Sequence, residues 1–153
     1  QMNVKRAINS DIPRIAGNEA ARLFRQNFQN EGFFGKKWKE VNRRGTKTTG
    51  YKTKAGKQKT KTVRAGKGAD GSRKILTGRT GNLGRSIKVR TEPGTAIIYS
   101  DVKYSAAHNS GAQNAGRGRR TKIPQRQFIG NSPELERSVK SKIEYALNFI
   151  FKP

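Results

Sequence analysis

The apolar pattern of this chain breaks off near Asn42 and does not resume until Ile75, and that gap limits the fold more than any motif does. Between Asn42 and Lys74 only Tyr51, Val63 and a few alanines are apolar. The stretch carries twelve basic residues (Arg43, Arg44, Lys47, Lys52, Lys54, Lys57, Lys59, Lys61, Arg64, Lys67, Arg73 and Lys74) against one acid, Asp70, a net +11. It has too little apolar area to offset the entropy of ordering it. The expectation is a long basic loop over 42–74, mobile in the free monomer and ordered on assembly. The core must come from the segments on either side.

Before the gap, Ile8, Ile12, Ile15, Ala16, Ala20, Leu23, Phe24 and Phe28 recur at three- and four-residue steps, which predicts an amphipathic helix over 11–30. Ser10 or Asp11 is placed to cap it, with Pro13 in its first turn. Residues 1–10 are expected to form a short separate helix or an arm. Phe33, Phe34 and Trp38 follow Gly32 and are expected to plug the edge of the core. The last element, 132–151, starts with a capping Ser132 and Pro133, then Glu134 and Glu136 at the positive helix end. Its stripe is Leu135, Val139, Ile143, Ala146, Leu147 and Ile150. Tyr145, Phe149 and Phe151 lie off it, an aromatic flank suited to another subunit.

The segment 75–131 reads as short helices and β-strands. Thr80–Ser86 suggests a short helix with Leu83 inward. Ile87 and Val89 alternate with Lys88 and Arg90, and Glu92-Pro93-Gly94 turns into a return strand over 95–100. Tyr104–His108 reads as a helical turn ended by Gly111. Ile123–Ile129 is expected to be an edge strand because it contains Pro124. The whole, 1–153, is expected to be a single α+β domain, with two long amphipathic helices packed on a small antiparallel β-sheet.

Charge limits function. The chain has 34 Lys and Arg, 10 Asp and Glu and a net charge of +24, with 31% hydrophobic residues and no cysteine. Such a charge calls for an anionic partner. The absence of cysteine excludes disulfides and thiolate metal sites. No apolar run is long enough for a membrane span, and Gln1–Ser10 has no signal-like stretch, so a cytoplasmically assembled protein with no membrane association is expected. His108 is the one histidine and reads as a packing residue. Gly66–Gly71 matches GxGxxG but lacks the preceding buried strand. No catalytic, metal or cofactor site is expected.

The basic segments 42–74 and 117–126 hold half of all the basic residues. With almost no aromatics for stacking, they suit contact with backbone phosphate or with acidic neighbouring subunits. The candidate contacts are Arg43, Arg44, Lys47, Lys52, Lys54, Lys57, Lys59, Lys61, Arg64, Lys67, Arg117, Arg119, Arg120 and Lys122.

The order of motifs is informative: an N-terminal helix, Phe34-Gly35-Lys36-Lys37-Trp38-Lys39, a polar loop, and Ile75-Leu76-Thr77-Gly78-Arg79-Thr80-Gly81-Asn82-Leu83-Gly84-Arg85-Ser86-Ile87. A strand pair, Tyr104–Gly111 and Pro124–Gly130 follow before the last helix. This succession resembles the phage virion morphogenesis family, the tail-completion proteins of Mu-like phages, over nearly the whole chain. The resemblance implies a non-catalytic neck subunit of the virion, assembled in the host cytoplasm and set between connector or portal-side proteins and the tail terminator or tube. It implies a homo-oligomeric ring, a hexamer or dodecamer, around packaged DNA. It assigns structural roles to Trp38, Leu76, Leu83, Tyr104, His108, Gly111, Arg126 and Phe128. The long Lys-rich insertion departs from the family pattern. The alternatives are a tail terminator, a head-completion protein, or a sequence-nonspecific cellular nucleic-acid-binding protein, which composition by itself would favour.

Overall fold

The computed structural model describes residues 4–64 and 72–150. Its N-terminal helix begins earlier than a capped helix would. Val4–Arg6 (α1), a π-helical turn Ala7–Asp11 and Ile12–Asn30 (α2) run on without a break. Asp11 keeps helical backbone angles and makes no capping bond, so the expected cap is absent. Its carboxylate instead lies 3.8 Å from Arg6 and 3.5 Å from Arg14. Pro13 has no N–H to offer the α ladder, and the π turn just before it is where the ladder shifts.

The buried face of α2 is rotated from the expected stripe. Pro13, Gly17, Ala20, Ala21, Phe24 and Phe28 are buried, while Ile12, Ile15, Ala16 and Leu23 are only half-buried. Ile8 is 54% exposed, a correction to its place in the stripe. The reason is close approach: small residues, rather than the isoleucines, lie under the strands that pack there. A Cβ on Gly17 would come within 2.6 Å of Val89 Cγ1 and 3.1 Å of Ala96 Cβ.

After α2, Glu31 adopts a left-handed conformation (φ 52°) and the chain reverses. Gly32–Phe33 (β1) and Lys36–Lys37 (β2) pair through Phe34 and Gly35, both at positive φ, as a two-residue hairpin of this hand demands. The turn folds its aromatics inward, as expected from the sequence. Phe33 and Trp38 are buried, and ring pairs Phe24–Phe34, Phe28–Trp38 and Phe28–Phe128 meet at centroid distances of 6.4, 5.5 and 5.1 Å. Each such pair adds roughly 0.5–1.5 kcal/mol beyond its area.

Where a structureless loop is expected, the chain forms a hairpin. Thr46–Lys52 (β3) pairs antiparallel with Gln58–Arg64 (β4) over seven residue pairs. The threonines, Val63 and Tyr51 suit an extended backbone, and ladder hydrogen bonds need no apolar face. The turn closes through Gly56 (φ 75°), whose N–H donates to the Thr53 carbonyl at 2.9 Å. None of the hairpin's described side chains is buried, and neither strand packs extensively on another element. The GxGxxG run Gly66–Gly71 lies outside the described residues.

Asn82–Arg85 (α3) is the short helix, with Leu83 buried. Ile87–Glu92 (β5) and Thr95–Ser100 (β6) form the expected strand pair, in register Ile87↔Ser100 to Glu92↔Thr95. They lie against α2. Ser105–Ser110 (α4) ends at Gly111, φ 80°. The expected strand over Ile123–Ile129 is displaced: Ala112–Ala115 (β7) pairs with Thr121–Ile123 (β8), and Pro124, lacking an N–H donor, ends the ladder. Pro133–Ile150 (α5) is capped by Ser132, whose Oγ accepts from the Leu135 N–H at 3.0 Å.

The fold is α+β. Instead of one small sheet, the described strands make four separate two-stranded antiparallel units. Both long helices pack on each other, and only α2 packs extensively on β5 and β6. The core gathers Ala20, Ala21, Phe24, Phe28, Phe33, Trp38, Ile75, Leu83, Ile87 and Phe128, with Leu135 and Val139 of α5 against it.

Candidate partner-binding surface

The segment 124–130 has no regular structure, so its buried polar backbone groups need side-chain or non-ladder partners. They have them. The Arg126 N–H donates to the His108 carbonyl at 2.8 Å, and Trp38 Nε1 donates to the Gln127 carbonyl at 2.7 Å. Asn27 Nδ2 reaches the Phe128 carbonyl at 3.3 Å. Asn109 Oδ1 accepts from both the Phe128 and Ile129 N–H groups, at 2.9 and 3.0 Å. The segment is thereby strapped to α4, to α2 and to the turn after β2. Phe128, 1% exposed, sits at the centre of the core. Gly111 permits the crossing, since a Cβ there would meet the Gln125 nitrogen at 3.1 Å and the Ile123 carbonyl at 3.2 Å.

Arg126 is 8% exposed, an unusual burial for a guanidinium. Its Nε and Nη2 both donate to the Lys39 carbonyl, at 3.0 and 2.9 Å. Burial, and then the neighbouring Arg43, hold it below the usual arginine value, with Glu40 pulling the other way. His108 stands beside it under the edge of the Tyr104 ring, at a centroid distance of 5.9 Å. Burial first, then Arg126, lowers the His108 pKa, so the ring is neutral near pH 7. Tyr104 is 46% exposed and accepts a bond from Asn82 Nδ2 at 3.3 Å. Leu76 holds a left-handed backbone (φ 61°) and is half-buried, packed against the core near Leu83.

The candidate cations divide into two groups. Arg44 is committed inward: it grips both oxygens of the Glu31 carboxylate, at 2.5 and 2.9 Å, and also bonds the Arg73 carbonyl. Arg43 donates to the Arg73 and Lys74 carbonyls at 2.8 and 2.9 Å. Both tie the base of the hairpin to the body. Lys52, Lys54, Lys57, Lys59 and Lys61 on the hairpin, and Arg117, Arg119, Arg120 and Lys122 around β7–β8, are exposed. Lys47 and Arg64 lie within β3 and β4, and Lys67 lies outside the described residues.

Glu31 is a hub that sequence reading misses. Arg44 above all, and then the Ile75 N–H at 2.5 Å, hold its carboxyl below the usual range. Glu19 does the same between the long helices: Arg22 and the Ser138 hydroxyl at 2.7 Å lower its pKa to about 2. A polar residue on the inner face of a helix, as Asn27 and Glu19 are, is the signal that marks such hubs. Among the described residues no cluster of three His, Asp or Glu could hold a metal ion, and no helix is long and apolar enough to cross a membrane.

The motifs stand in this order on an α+β scaffold with a polar, cationic surface. The chain belongs to the phage virion morphogenesis family, whose model matches residues 36–148. The match starts after α2, so the N-terminal helix lies outside it, a narrower span than the motif order alone suggests. No curated protein and no solved structure matches the chain.

Proposed function

We propose that this chain is a structural, non-catalytic neck subunit of a tailed phage, a tail-completion protein that joins the head connector to the tail as a ring around the DNA channel. The family membership carries the reading, and the lysine row of β4 fits it. Lys57, Lys59 and Lys61 alternate along the chain, and the two within β4 share a face with Tyr51, which opposes Lys59. Residues two apart on a strand are about 6.6–6.8 Å apart. One strand of a DNA duplex presents a dense, regular row of phosphate charges, which such a row of lysines can face. An acidic face of a neighbouring subunit is the other surface it would suit.

Within the virion, the alternative readings are a tail terminator or a head-completion protein. Family membership displaces the cellular nucleic-acid-binding alternative. The test is electron microscopy of particles from cells infected by a phage lacking this gene. Full heads beside separate, finished tails are expected. Over-long tails would identify a terminator, and intact virions would overturn the proposal.

A further inference from the structure

We infer that the cleft between the 75–83 segment and α4 is a receptor for a carboxylate side chain, an Asp or Glu presented by an acidic neighbouring protein. The cleft has a volume of about 280 Å³ and is lined by Arg43, Asn82, Tyr104, His108 and Arg126, with Leu76 among its apolar walls. Two observations point to an anion there. Arg126 is a buried cation with no carboxylate within 4 Å among the described residues, and the bonds from its Nε and Nη2 go to a neutral carbonyl, that of Lys39. Buried guanidinium groups are ordinarily paired, because an uncompensated charge in the interior is costly. In addition, His108 Nδ1 is buried and has no hydrogen-bond partner among the described residues. A group with one negative charge and two acceptor oxygens, entering this cleft, would pair with Arg126, and it would accept from His108 Nδ1 once that nitrogen carries the proton and a small turn of the ring uncovers it.

The nearest acid does not fill that role. Glu40 influences Arg126 electrostatically, but its side chain is 64% exposed and lies 3.6 Å from Arg44. A carboxylate side chain fits better than a DNA phosphate. The apolar wall suits the methylenes of a Glu, which a bare phosphate lacks. The net charge of +24 favours an acidic protein over a second copy of this chain. The inference rests on the assembly reading for the partner being a virion protein; the carboxylate chemistry stands on the cleft itself.

His108 is the single histidine, so its ring protons give unambiguous signals in proton NMR of the full chain. The probe is N-acetyl-glutamate α-amide at fixed ionic strength, with N-acetyl-glutamine α-amide as its neutral isostere. The glutamate amide is expected to move the His108 signals saturably, with a midpoint at roughly millimolar concentration. It should raise the ring's titration midpoint by roughly one pH unit, since a carboxylate would join Arg126, Arg43 and Tyr104 around it. The glutamine amide should do neither, and Arg126→Gln should abolish the response. If that variant fails to fold, the comparison of the two amides on the wild-type chain decides the matter. Equal responses, or no response to either, would overturn the inference. So would a short DNA duplex that moves His108 more strongly than the glutamate amide, which would make the site one for phosphate. The amide titration is independent of the infection experiment, so either proposal can fail alone.

Discussion

At the scale of single residues, the fold depends on a few positions where size or charge admits no neighbour of another kind. Gly17 is one. Alanine there must push against Val89 Cγ1 at 2.6 Å, and overpacking of this sort costs about 1–3 kcal/mol. Gly50→Ala has open space around it and should be close to neutral. Urea denaturation of the two variants checks the contrast. Glu19 is another. Its folded pKa, about 2, lies below the ordinary 4.5, so its contribution is present above about pH 4.5 and is lost as the pH falls towards 2. Because Arg22 is 56% exposed, solvent screens part of the pair and the contribution is about 1–2 kcal/mol. Glu19→Gln should lower stability at pH 7 by that amount and flatten its fall between pH 4.5 and 2, read from denaturant midpoints across the range.

At the scale of elements, the lysine row of the hairpin makes a separable prediction. Changing Lys57, Lys59 and Lys61 together to Gln should not lower Tm, because these side chains are exposed, and should raise it slightly by easing self-repulsion. If they contact phosphate, the slope of log K against log salt for duplex DNA should fall in magnitude by about 2.7, at about 0.9 for each lost contact. An unchanged slope would assign the row to acidic protein instead. The sequence made some of these elements plain and concealed others, for physical reasons. α2 and β5 bury residues on one side, α5 and β6 turn half-buried residues to the same core, and the periods of 3.6 and 2 show in Phe24 and Phe28, Leu135 and Val139, Ile87 and Val89. β3–β4 buries none of its described side chains and is held by backbone bonds, so no apolar alternation announces it. Arg43 and Arg44 look like the hairpin lysines in composition. Only the folded chain, which brings Glu31 and the carbonyls of Arg73 and Lys74 against them, tells the two kinds apart.

At the scale of the whole molecule, charge opposes compactness. With +24 on 153 residues, self-repulsion acts across the surface, and mobile ions screen it over about 10 Å at 0.1 M salt. The ion pairs among the described residues are mostly exposed, and exposed pairs contribute little. Tm should therefore rise as NaCl increases from about 0.05 to 0.5 M, measured by calorimetry on dilute protein. A fall would mean that the Glu31 and Glu19 pairs outweigh the repulsion.

The strap at 124–130 also bears on how the chain is made. Its bonds join Lys39 to Arg126, Trp38 to Gln127 and Asn27 to Phe128, across 87, 89 and 101 residues. Synthesis runs from the N-terminus, so α2 and the aromatic turn emerge from the ribosome long before the residues that complete them. Until Phe128 has emerged, Phe28 lacks one of its ring partners and Trp38 Nε1 lacks its acceptor, and the core stays open. A product cut short before that point cannot acquire the native centre, so interrupted translation yields unfolded fragments for proteolysis in place of defective subunits.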